Sequence, residues 1–176
     1  DLKGMKTASS FNTSSDTVVA IKNAYADLEK RLGGSPTWMA VHGTYQHSGQ
    51  LIADSLQILA PNVPFQGGTI CRGVLTESGF HSEEGVSLGL FGIRDPEGFY
   101  GVGYAGTETH SRLAGYRAIK NALQAAGNNE VPALVWVTCA PGDEENVIAG
   151  IEEGLMGAYT PIIGGSSADT TVEGKW

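Results

Sequence analysis

The sequence is poor in cysteine. Its two thiols, Cys71 and Cys139, stand alone, which excludes a disulfide framework and any Cys-pair zinc motif. Basic residues are also scarce. Eleven Lys and Arg face 19 Asp and Glu, for a formal net charge of −8. The few cations are scattered, which argues against nucleic acid or an anionic membrane surface as partner. No apolar run approaches the roughly 20 residues of a membrane-crossing helix, so no transmembrane segment is expected. No signal or transit segment is visible. The chain opens on Asp1 rather than Met, however, and an address removed earlier would leave no trace. The expectation is an intracellular, soluble, most simply cytoplasmic domain.

What is abundant is glycine. Twenty-five glycines among 176 residues follow no collagen-like period, so they belong to turns or to strands on which something packs closely. Hydrophobic residues at 41% are enough for a core.

The chain repeats itself. "AIKNAYADLEKRLGGSPTWMAV" from Ala20 is similar to "AIKNALQAAGNNEVPALVWV" from Ala118, Pro36 has a counterpart in Pro132, and the pair Gly67-Gly68 has one in Gly164-Gly165. The shifts are 98, 96 and 97 residues. Three landmarks in one order at a near-constant shift indicate duplication. Each copy reads as a small-residue strand (Met5–Phe11 or Phe99–Ala105), an amphipathic helix, an apolar strand, a second helix and a Pro-x-x-Gly-Gly strand. Val18, Ile21, Tyr25, Leu28 and Leu32 make one apolar stripe, with Ser15 or Asp16 to cap it and Gly33-Gly34 to end it. Leu113, Tyr116, Ile119 and Leu123 make the other, stopped at Gly127. A strand–turn–strand junction, "GVSLGLFGI" to "FYGVGYA", is expected to join the copies. The fold class that follows is α/β: mixed sheet or sheets flanked by helices, built from two tandem β-α-β-α-β copies with pseudo-two-fold symmetry. The copies span about 1–84 and 85–176 and form a single domain.

"GVGYAG" at Gly101 matches a dinucleotide-binding pattern, but it lies within an alternating strand and lacks the acidic partner some 20 residues on. Its glycines are better explained by a helix or ligand lying close on the sheet. The chain carries no full phosphate loop, nucleophile elbow or zincin motif. His42, His47, His81 and His110 have no metal-ligand spacing, so no metal is expected. Both cysteines are expected to be buried and inert.

The Gly-Gly pairs are the best site candidates. Read as turns, they would let successive N–H groups cradle an anion. Thr69, Cys71 and Arg72 follow Gly67 and Gly68, while Ser166, Ser167 and Asp169 follow Gly164 and Gly165. Arg72 would supply a planar carboxylate partner. On residues alone, tight connections account for both pairs at least as well as a site does.

"PFQGGTICRGVLTESGF", "ALVWVTCAPGD" and "PIIGGSSADTTVEGKW", in that order along the chain, resemble the N-terminal region of the FIST sensory domain. The resemblance covers most of the chain. It implies a non-catalytic small-ligand sensor of signal-transduction proteins, with amino acids as proposed ligands. Some members resembling the family bind haem, for which His42 would be the weak candidate here; otherwise no cofactor is implied. It also implies a C-terminal FIST region beyond Trp176. Arg72-Gly73 and Ala168 depart from the family pattern, so ligand identity stays open. The alternatives are a structural or assembly subunit that keeps the fold without its ligand, and an enzyme using Cys71 as nucleophile.

Overall fold

The computed structural model describes residues 4–106, 110–128, 130–171 and 173–175. Two compact units are present: one runs to Gly98 and also takes in the segment from Ala168, and the other is Phe99–Ser167. Trp176, part of the closing motif, lies outside the described residues.

The first unit begins with β1 (Lys6–Asn12) and α1 (Thr17–Leu32). Asp16 caps α1, its carboxylate accepting from the Val19 N–H, and Gly33 ends it in the left-handed region at φ +72°. β2 (Trp38–Thr44), α2 (Gly49–Leu59) and β3 (Phe65–Ile70) follow. A short hairpin, β4 (Val74–Thr76) and β5 (Gly79–His81), precedes β6 (Leu88–Arg94). The sheet order is β1-β6-β2-β3. β2 and β3 run parallel, and β6 lies antiparallel to both β1 and β2, so the sheet is mixed.

Burial explains the order. Ile21, Leu28 and Leu32 of α1 and Leu56 of α2 are fully buried against Met39, Val41, Leu88 and Leu90 of the sheet. Each such side chain contributes about 1.5–3 kcal/mol. Gly92 lets α1 settle, since a Cβ there would lie 2.9 Å from Leu28 Cδ2.

The second unit carries α3 (Ser111–Ala126), β7 (Val135–Cys139), α4 (Glu144–Gly154) and β8 (Ile162–Ser166). Gly127 ends α3 at φ +67°. β7 and β8 form a two-stranded parallel sheet, and Val135 and Val137 pack with Ile119, Val147 and Ile151 of the helices. α3 and α4 touch through glycine: a Cβ on Gly150 would fall 1.9 Å from the Arg112 carbonyl oxygen, and one on Gly115 would fall 2.1 Å from that of Val147.

Three expectations need correction. Phe99–Ala105 forms no strand, because no neighbouring strand offers it a ladder. Its glycines do serve close helix packing, since Cβ atoms on Gly101 and Gly103 would each lie 2.0 Å from an α3 carbonyl oxygen, those of Ala122 and Ala118. The expected hairpin between the copies is likewise not made: β6 inserts between β1 and β2, where both of its edges are satisfied. Third, both Gly-Gly pairs lie inside strands rather than in turns. Gly67 and Gly68 pair with Val41 and His42, and Gly164 and Gly165 pair with Val137 and Thr138.

Candidate functional site

In open α/β sheets, ligands gather beyond the carboxyl ends of the strands. In the first unit those ends are Thr44 on β2 and Ile70 on β3. Gly67, Gly68 and Thr69 are the last turns of pleat before this edge, and Cys71 and Arg72 lie just beyond it. The Gly-Gly pair is therefore no cradle of free N–H groups. Gly67 is required because a Cβ would fall 1.7 Å from the Val41 carbonyl oxygen.

Arg72 is exposed, sits at φ +64° and has no ion-pair partner among the described residues. A non-glycine residue in the left-handed region is uncommon and carries strain. Its carbonyl accepts from the Ser82 hydroxyl, which ties the loop to the residue just past β5. The expectation that Cys71 is buried is corrected: its position one residue past β3 leaves the thiol exposed.

Inside the edge, polar atoms are buried without partners. Thr69 Oγ1, His47 Nε2, Ser87 Oγ and Thr170 Oγ1 make no hydrogen bond among the described residues. Each such atom costs about 1–3 kcal/mol if nothing meets it. Gly43 links two of them, pairing with Thr69 across the ladder while its own α-carbon face lies against the His47 ring. Ser87 joins through its carbonyl, which accepts from the Thr44 N–H at 2.9 Å.

His47 also ties two helix starts together. Its Nδ1 lies 3.2 Å from Thr17 Oγ1 at the head of α1, and the same hydroxyl accepts from the N–H of Ser48, the cap of α2. Burial lowers the pKa of both His47 and His42, which keeps the imidazoles neutral. His42 stands on β2 between Gly68 and Gly89, the residues in register with it on either side.

The closing segment returns to this edge. The Ala168 N–H donates to the Thr69 carbonyl at 3.0 Å. Asp169 is buried, and its carboxylate accepts from the N–H groups of Thr171, Glu173 and Lys175. It thereby folds the segment on itself. The Lys175 ammonium lies 5.4 Å from the centre of the Tyr45 ring, just past β2.

Gly164, Gly165, Ser166 and Ser167 belong to the second unit. Gly164 stands at φ +143°, where a Cβ would fall 1.8 Å from the Val137 carbonyl oxygen. Ser166 donates to the Glu144 carboxylate, which holds that carboxyl below its usual range. The Ser167 N–H donates to the Cys139 carbonyl. Cys139 is half-buried, and burial pushes its thiol up, as an inert cysteine requires. A separate open cleft of about 710 Å³ lies at the N-terminal ends of α3 and α4, between His110, Tyr116 and Asp143. Its charges are spent on one another: Arg112 pairs with Glu153, and Asp143 accepts from Asn146. Among the described residues no group of three His, Cys, Asp or Glu is placed to hold a metal, and no helix is long and apolar enough to cross a membrane.

Sequence reading singled out the β3 end, weighed His47 only as a metal ligand and passed over Thr17 and Ser87. They are brought together across 30 to 40 residues of chain by the sheet order, and no local pattern marks them.

Residues 37–176, most of the chain, match the FIST N domain. The chain belongs to the FIST family. A FIST domain is a sensory module with a ligand-associated, non-catalytic role. No curated protein sequence matches the chain. Among solved structures it is similar to the cyanuric acid hydrolase from A. caulinodans, at 14% identity and a TM-score of 0.48. That match covers 93% of this FIST chain and 64% of the hydrolase, so the chain spans less than two thirds of that protein's length.

Proposed function

We propose that this FIST domain senses a small anionic ligand, an amino acid or a comparable carboxylate, at the carboxyl end of β3. The observation that carries the reading is Arg72: an exposed guanidinium, without an ion pair among the described residues, held in strained left-handed backbone two residues past the end of β3. Strain of that kind persists where the surrounding structure over-determines it, which is common at ligand clamps. A planar guanidinium there suits a bidentate carboxylate contact. Thr69, with its hydroxyl buried and unmet, adds a hydrogen bond that a ligand oxygen would complete. Gly67 and Gly68 are the part of β3 paired with β2 just before this end, Cys71 lines the rim, and Asp169 shapes the rim through the segment it folds. Gly164, Gly165, Ser166 and Ser167 are the matching positions of a duplicated unit, and the chain as a whole is read as one FIST N domain of two such units.

Titration calorimetry of the folded protein against amino acids and small dicarboxylates tests this. Saturable heat that disappears in Arg72→Gln supports the site. No heat with any member of the panel, with folding confirmed by circular dichroism, removes the reading.

A further inference from the structure

His42 is the exception in its strand. β2 lies between β6 and β3, and every residue of it but His42 is buried. The ring makes no hydrogen bond among the described residues, and burial keeps it neutral. Both of its in-register neighbours are glycine, Gly68 on β3 and Gly89 on β6. The face that carries the ring follows from what packs there. A Cβ on Gly43, the next residue, would meet Ile52 of α2 at 3.7 Å, whereas one on Gly89 would lie 2.5 Å from Val74 of β4. Successive residues of a strand face opposite ways, so His42 shares the face of Gly89, away from the helices and toward the hairpin.

Val74 also fixes the path of the loop that carries Arg72. β3 ends at Ile70, in register with Thr44 on one side of β2, and Val74 sits over Gly89 of β6 on the other side. Residues 71–73 join those two places, so they cross β2 on the His42 face, with Arg72 as their middle residue. His42 stands two residues in from Thr44, beneath that crossing. The surface around it is polar but uncharged. Its neighbours on this face are Ala40 and Thr44 of β2, Gln66 and Ile70 of β3, and Ser87 and Phe91 beside them on the β6 side. None of these ionises. Gln66 Nε2 and Ser87 Oγ are enclosed and have no partner among the described residues.

We infer that His42 is the inner contact of the Arg72 site, and that it selects a ligand whose far end is polar and uncharged: an amino acid with a side-chain amide in place of a side-chain carboxylate. Arg72 at the rim takes the α-carboxylate. A neutral imidazole has one nitrogen that donates and one that accepts, which matches the NH₂ and C=O of an amide. A second carboxylate at this depth would be a buried charge with no cation among its neighbours, and its desolvation would outweigh the hydrogen bond gained. In the same row Gly68 leaves the β3 side of the ring without a competing side chain. This rests on Arg72 holding a carboxylate, and it adds the chemistry of the ligand's other end.

Titration calorimetry of the whole protein with asparagine, aspartate, glutamine and glutamate tests the choice, because each amide matches its acid in shape. One amide is expected to bind about tenfold or more tightly than its acid. His42→Phe keeps a ring without nitrogen and should erase that preference, while norvaline, which has neither group, binds parent and variant alike. His42→Gln should restore part of the preference. If His42→Phe fails to fold, the ring ¹⁵N shifts of His42 in the parent protein decide: they should move with the amide and stay still with norvaline, and shifts that ignore the amide overturn the assignment. An acid that binds as tightly as its amide, or a preference that survives His42→Phe, overturns the role of His42 and leaves Arg72 standing. No binding by any of the five compounds removes both.

Discussion

Gly67 and Val41 face each other across the parallel β2–β3 ladder so closely that a Cβ on the glycine would fall 1.7 Å from the valine's carbonyl oxygen. Gly164 repeats the relation with Val137 at 1.8 Å. Backbone cannot move aside as a side-chain tip can. Gly67→Ala and Gly164→Ala are therefore expected to cost about 3 kcal/mol or more each, beyond ordinary overpacking. Gly165→Ala should be nearly neutral by this measure, since nothing lies within 4 Å of its added Cβ. Urea midpoints of the three variants decide the matter, and equal midpoints would refute the close approach.

The α3–α4 contact makes a second case. Gly150→Ala would drive a methyl into the Arg112 carbonyl, 1.9 Å away, so the helices must part. A loss of about 3 kcal/mol is expected, localised to the second unit. Exchange protection should fall in α3 and α4 while α1 keeps its own, and uniform loss would contradict a separate cooperative unit.

These glycines also show what could be read from the residues. The amphipathic stripes, the Asp16 cap and the stops at Gly33 and Gly127 were legible because each is a local pattern of spacing and capping. The Gly-Gly pairs were visible as a repeat, but their meaning was not. A glycine demanded by a turn and one demanded by a neighbouring carbonyl look alike in sequence. The hairpin of β4 and β5 escaped for a related reason: Phe11 stacks on His81 at 3.4 Å, a contact made over 70 residues that no short window contains. The placement of β6 between β1 and β2 depends on sheet order, which periodicity does not encode.

Arg72 separates stability from binding. Arg72→Gly removes the left-handed strain of a side-chain-bearing residue and should raise stability by about 0.5–1 kcal/mol. The same change removes the guanidinium and should abolish carboxylate binding. Arg72→Gln should abolish binding with little change in melting temperature. A variant that loses stability on mutation to glycine would show that Arg72 serves the fold instead.

Stability should also fall on the acid side through the buried histidines. Burial lowers the pKa of both His42 and His47 in the folded state. The unfolded chain, with ordinary imidazoles near pH 6.5, then binds more protons than the native one as pH drops. Their contribution is fully present above about pH 6.5 and is lost as pH falls through the folded-state values. Unfolding free energy measured between pH 7.5 and 5 should decline with a slope that His47→Gln reduces, because glutamine takes no proton. Cys139 works in the opposite direction: its raised pKa adds stability that is present below the thiol's unfolded value and is lost as pH rises through the folded one. The profile should therefore peak between these limits, and a flat acid limb in the parent protein would mean that neither imidazole is held neutral by burial.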